Sequence, residues 1–123
     1  MARRKPREVL GPLEAEVMEI VWTTDGPVSV RAMLELLNHG RRQQLAYTTV
    51  MTVMARLVEK EVLSRRREGR GYVYEASVSD PAEIAVRGVV REFGDAALAH
   101  FVDEAKADPT LLRRLRRMMS EES

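Results

Sequence analysis

Three short amphipathic helical patterns, a basic hairpin directly behind the third, and three more apolar helical patterns after a proline boundary predict a mainly α chain with a small antiparallel β wing. In that order they make a winged helix-turn-helix domain followed by a helical dimerisation segment. The expected divisions are a flexible basic leader at 1–9, a winged domain at 10–78 and a three-helix dimerisation segment at 79–123.

A chain of 123 residues is long enough for one hydrophobic core but not for two independent ones. Its 45% hydrophobic and 32% charged residues fit a globular protein rather than a disordered one. No stretch approaches the roughly 18 apolar residues of a membrane span, so no membrane insertion and a cytoplasmic location are expected. Cysteine is absent, which removes disulfides, thiolate metal sites and cysteine nucleophiles together. His39 and His100 lack ligand-like neighbours at zinc spacing, and no catalytic set or phosphate loop is evident, so neither metal, cofactor nor enzymatic activity is expected.

The net charge of +1 does not announce a nucleic acid, but its distribution does. From residue 41 to 70 stand eight basic residues (Arg41, Arg42, Arg56, Lys60, Arg65, Arg66, Arg67, Arg70) against Glu59, Glu61 and Glu68. In the leader, Arg3, Arg4, Lys5 and Arg7 read either as an arm on DNA phosphates or as a solvated tail.

The first helix opens at Leu10-Gly11-Pro12, because proline at the first helical position gives up only an N–H that would be orphaned anyway. Leu13, Val17, Ile20 and Val21 form its inward stripe, and Thr23 to Pro27 end it. Ser29 caps a second helix with Val30, Met33, Leu34 and Leu37 on one face, closed by Asn38-His39-Gly40.

After a connector at 41–44, a third helix is expected at 47–60. Val50, Val53 and Leu57 centre its inward arc, and Thr48, Thr52, Ala55 and Glu59 lie opposite. The N-terminal half of that outer arc is short, hydroxylated and nearly uncharged, a surface that can approach bases closely. Thr48, Thr49, Thr52 and Arg56 are therefore the expected base readers. Tyr47 permits two roles, a hydroxyl aimed at a phosphate or a ring in the core.

Beyond Lys60 the period changes to alternation, and Glu68-Gly69-Arg70-Gly71 supplies the turn of a hairpin at 62–75. Arg65, Arg67 and Arg70 on this wing, with Arg41 and Arg42 before the helix, are the expected backbone contacts; alternation puts Arg66 on the other strand face. Tyr72 and Tyr74 read as packing residues.

Asp80-Pro81 begins the last segment. Val86, Val89, Val90 and Phe93, then Leu98, Phe101 and Val102, then Leu111, Leu115 and Met118 offer more apolar surface than one small domain hides. A second copy of the chain is the expected cover. Arg113, Arg114, Arg116 and Arg117 read as a solvated face of the last helix, or as the basic side of a helix lying on a membrane.

Four blocks, LGPLEAEVMEIVW at 10–22, PVSVRAMLELL at 27–37, LAYTTVMTVMARLVEKEVL at 45–63 and REGRGYVYEA at 67–76, resemble the penicillinase-repressor (BlaI/MecI) family of bacterial transcriptional regulators. The resemblance implies a homodimeric repressor on a dyad of double-stranded operator DNA, with TACA/TGTA-type half-sites, ahead of resistance or stress genes. It also implies that a membrane-embedded sensor protease triggers cleavage at an Asn-Phe-Val stretch; the matching positions here are His100, Phe101 and Val102, with histidine where the family has asparagine. Copper-responsive relatives carry cysteine pairs that this chain lacks. Two other readings of the residues stay open, a small-molecule-responsive winged-helix regulator and a winged-helix protein-interaction module.

Overall fold

The computed structural model describes residues 10–122, so the basic leader with Arg3, Arg4, Lys5 and Arg7 lies outside the described residues. The elements run α1 (Pro12–Thr23), β1 (Val28–Ser29), α2 (Val30–Asn38), α3 (Tyr47–Glu59), β2 (Leu63–Glu68), β3 (Gly71–Ala76), α4 (Pro81–Phe93), α5 (Asp95–Ala107) and α6 (Pro109–Glu122). The chain divides into two compact units between Ile84 and Ala85. The expected division after residue 78 falls just before α4. The compact units divide within that helix because Ile84, in its first turn, is buried in the core of the first unit.

α1 starts where Glu14 turns back to accept the Gly11 N–H at 2.9 Å, and Pro12 takes the first helical position. Its buried residues are Val17, Met18 and Val21, whereas Leu13 and Ile20 are only partly covered. Met18, fully buried, was absent from the expected stripe. α1 touches α2, α3 and β3, so a wider arc is covered than one partner would cover. The Trp22 indole N–H donates to the Val78 carbonyl at 2.9 Å and fastens the end of α1 to the chain that leaves the wing.

The sheet has three strands, in the order β1-β3-β2, where the sequence predicts only a hairpin. Val28 and Ser29 pair antiparallel with Tyr74 and Val73. Two residues cannot display an alternation, and Ser29 also caps α2 by accepting the Ala32 N–H at 3.0 Å, so this strand exists only through its partner. Its effect is to anchor the base of the wing beside the start of α2.

α3 ends in a tight reversal. The Glu61 N–H donates to the Val58 carbonyl and the Val62 N–H to that of Leu57, both at 3.0 Å, the pattern of a Schellman cap. Glu61 takes the left-handed conformation (φ 63°) that glycine usually fills there. The reversal places buried Val62 and Leu63 beneath the helix and sends β2 out. At the hairpin tip Gly69 has φ 64°, as the first position of a type II′ turn requires, and Glu68 pairs with Gly71.

One core joins these elements: Val17, Met18, Val21, Met33, Leu37, Val50, Val53, Met54, Leu57, Leu63 and Tyr74 are at its centre. Truncating a side chain such as Leu57, fully buried here, costs about 2 to 5 kcal/mol in comparable cores.

In the second unit α5 and α6 pack on each other. Ala105 is buried and Leu111, Leu112 and Leu115 are half-buried. Asp108 accepts the N–H groups of Thr110 and Leu111 and so caps α6. Among the described residues no helix is long and apolar enough to cross a membrane.

Candidate nucleic-acid interface

The outer face of α3 is built by exclusion. Val50, Val53, Met54 and Leu57 are committed to the core, so the helical period leaves Thr48, Thr49, Met51, Thr52 and Arg56 exposed. The Thr52 hydroxyl donates to the Thr48 carbonyl at 2.9 Å. Its hydrogen is therefore engaged, and what Thr52 presents outward is an acceptor oxygen and a methyl group. Such a group suits an amino hydrogen or a thymine methyl in the major groove.

Tyr47 resolves outward, with 42% of its surface exposed. It lies under the Arg31 guanidinium, whose carbon is 5.5 Å from the ring centroid. The core alternative does not hold because Val50 and Met54 already fill the inner side of α3.

On the wing, Arg65 pairs with Tyr74 and Arg67 with Tyr72. These four therefore share one strand face, and Arg66, opposite Val73, lies on the other. Tyr74 is buried in the core, while Tyr72 is exposed and carries the Arg65 guanidinium 4.6 Å from its ring centroid. Arg66 reaches Glu68 at 3.4 Å. Arg67 and Arg70 are exposed, Arg70 at the hairpin tip.

The two arginines of the connector part company. Arg42 is exposed. Arg41 forks onto Glu16 of α1 at 3.2 and 3.4 Å, so its guanidinium is engaged as a strut between the connector and α1. Any phosphate must compete with that carboxylate. A second strut, Lys60 to Glu14 at 2.8 Å, joins the end of α3 to the start of α1.

The connector also has a lock that the sequence did not reveal. The Asn38 side-chain amide donates to the Leu45 carbonyl at 3.1 Å, and its oxygen accepts the Leu45 N–H at 2.7 Å. Gln44 adds bonds to the carbonyls of Asn38 and Arg41. An asparagine at a helix end signals a turn, but its partner seven residues on is visible only in the folded chain. Asn38→Ala removes both bonds and is expected to cost about 1 to 2 kcal/mol in urea unfolding with an unchanged m-value. An unaltered midpoint would show that the lock contributes nothing.

Among the described residues no cluster of histidine and acidic side chains could hold a metal ion. An exposed helix supported by a second helix and flanked by a basic three-stranded wing defines a winged helix-turn-helix protein. The family described as Penicillinase repressor matches residues 10–121. The transcriptional regulator BlaI of Mycobacterium tuberculosis is 37% identical over 120 residues, which is 91% of this chain and 83% of that protein. An uncharacterised 16.5 kDa protein of Latilactobacillus sakei is 40% identical over 67 residues, 54% of this chain and 44% of its own. The solution structure of the Bacillus licheniformis BlaI monomeric form in complex with the blaP half-operator is similar at 24% identity with a TM-score of 0.47, over 63% of this chain and 88% of that one. The chain belongs to the penicillinase repressor family, whose members are transcriptional repressors rather than enzymes.

Proposed function

We propose that this chain is a transcriptional repressor that binds a dyad-symmetric operator as a homodimer, with α3 in the major groove and the β2–β3 hairpin against the backbone. One observation carries the reading: the uncharged threonine surface at the start of α3 stands exposed, with Arg42 before it and Arg65, Arg67 and Arg70 on the wing behind it. Short side chains let a helix approach base edges, and flanking guanidiniums hold phosphates. Thr48, Thr49 and Thr52 read bases, with Arg56 on a guanine edge or a phosphate further along. Arg42, Arg65, Arg67 and Arg70 set register on the backbone, and Arg41 joins them only by leaving Glu16.

The second unit fits a dimer interface. Val86 is 63% exposed and Phe93 58%, and Val89, Val90, Leu98, Phe101, Val102 and Met118 are also open. A second copy covers such a surface symmetrically, and a two-fold dimer presents two reading helices to two half-sites. Derepression acts through this segment, by the cut of a membrane sensor protease or another signal that separates the protomers. His100 and Phe101 lie within α5 (Asp95–Ala107), so a protease needs local unwinding of that helix to reach the bond between them. A repressor that acts on operator DNA works in the cytoplasm, where that DNA is.

The test separates base from phosphate contacts. A footprint on the chain's own promoter identifies the operator, and two variants are then titrated on it and on a sequence with its half-sites scrambled. Thr52→Ala is expected to lose roughly 1 to 3 kcal/mol on the operator and little on the scrambled duplex, because only the base contact is lost. Arg70→Ala weakens both alike and lowers the salt slope by about 1 per bound protomer. Identical effects of the two variants would contradict the division of labour.

A further inference from the structure

Arg31 and Tyr47 meet where the two helices of the motif begin. Arg31 is the second residue of α2, Tyr47 the first of α3, and both are exposed. A guanidinium held over a ring by cation–π attraction still has N–H groups to give to hydrogen bonds, since it carries five of them. A bidentate phosphate contact needs two of those groups, and it forms with less loss of side-chain freedom when the arginine is already held. The first helix of a helix-turn-helix crosses the sugar-phosphate backbone while the second enters the groove, which puts the start of α2 beside a phosphate. The wing repeats the device, with Arg65 over the Tyr72 ring at 4.6 Å.

We propose that Arg31, held over the Tyr47 ring, is a phosphate-binding residue of the interface, and that Tyr47 is a positioning residue that works through its ring rather than its hydroxyl. The proposal rests on the reading of α3 as the major-groove helix.

Phosphate contacts are independent of sequence, so the full chain is titrated against a mixed-sequence duplex of about 30 base pairs over a series of salt concentrations. Arg31→Ala is expected to lower the slope of log affinity against log salt by about 1 per bound protomer, and Arg31→Lys to keep it. Tyr47→Phe keeps wild-type affinity, whereas Tyr47→Leu loses about threefold with the slope intact. Because both side chains are on the surface, each variant is expected to melt with the unaltered protein. A wild-type slope in Arg31→Ala overturns the proposal, and so does an equal loss in Tyr47→Phe and Tyr47→Leu, which would make the hydroxyl the contact. Failure of the unaltered chain to bind the duplex at all overturns the broader DNA reading with it.

Discussion

Raising the salt concentration from 50 to 200 mM is expected to lower operator affinity by about 10³ to 10⁵, the loss for a protein that neutralises roughly 6 to 10 phosphates. Each protomer offers Arg42, Arg65, Arg67 and Arg70 on exposed positions around α3, and a dimer doubles the set. Each phosphate they neutralise releases condensed counterions, and added salt removes that entropic gain. The overall charge of +1 contributes little, so the effect must come from the local cluster. Fluorescence anisotropy with a labelled operator duplex measures it directly. A slope near zero would sink the assignment of this surface to DNA, whatever the affinity at one salt concentration.

Phe93→Glu is expected to separate the protomers and to weaken binding to the full operator by about 10² to 10⁴, the advantage that linking two half-site contacts confers. Phe93 is 58% exposed on α4, in a stretch with Val86, Val89 and Val90, and it has little to lose in an isolated protomer. In the proposed dimer the same position is covered, and two carboxylates there would be buried without partners, which is costly. Sedimentation velocity reports the separation, and titration of a single half-site duplex is expected to show unchanged affinity because the reading head is intact. A variant that remains dimeric would remove α4 from the interface, and a lost half-site affinity would mean that the substitution harms the winged domain.

Local order in the winged domain is legible in the sequence. The 3.6-residue recurrence of Val50, Val53, Met54 and Leu57 sets the helix that runs from Tyr47 to Glu59, and the change to alternation after Lys60 sets the wing. The glycine of the hairpin tip is readable too, since free access to positive φ, without a Cβ penalty, is a property of glycine itself. Longer reach was not legible. That Arg41 would spend its fork on Glu16, that Asn38 would bracket the Leu45 peptide, and that Arg31 would lie over Tyr47 all depend on partners distant in the chain.

Periodicity and turn chemistry by themselves determined the helices, the hairpin and the threonine face of α3, because those depend on neighbours within a few residues. Tertiary structure alone decided the third strand at Val28 and Ser29, the place of Met18 at the centre of α1's buried face, and the outward direction of Tyr47. Each of these is settled by how space is shared among packed elements: a two-residue strand needs Tyr74 and Val73 beside it, and a ring at the rim of a filled core has room only outside it.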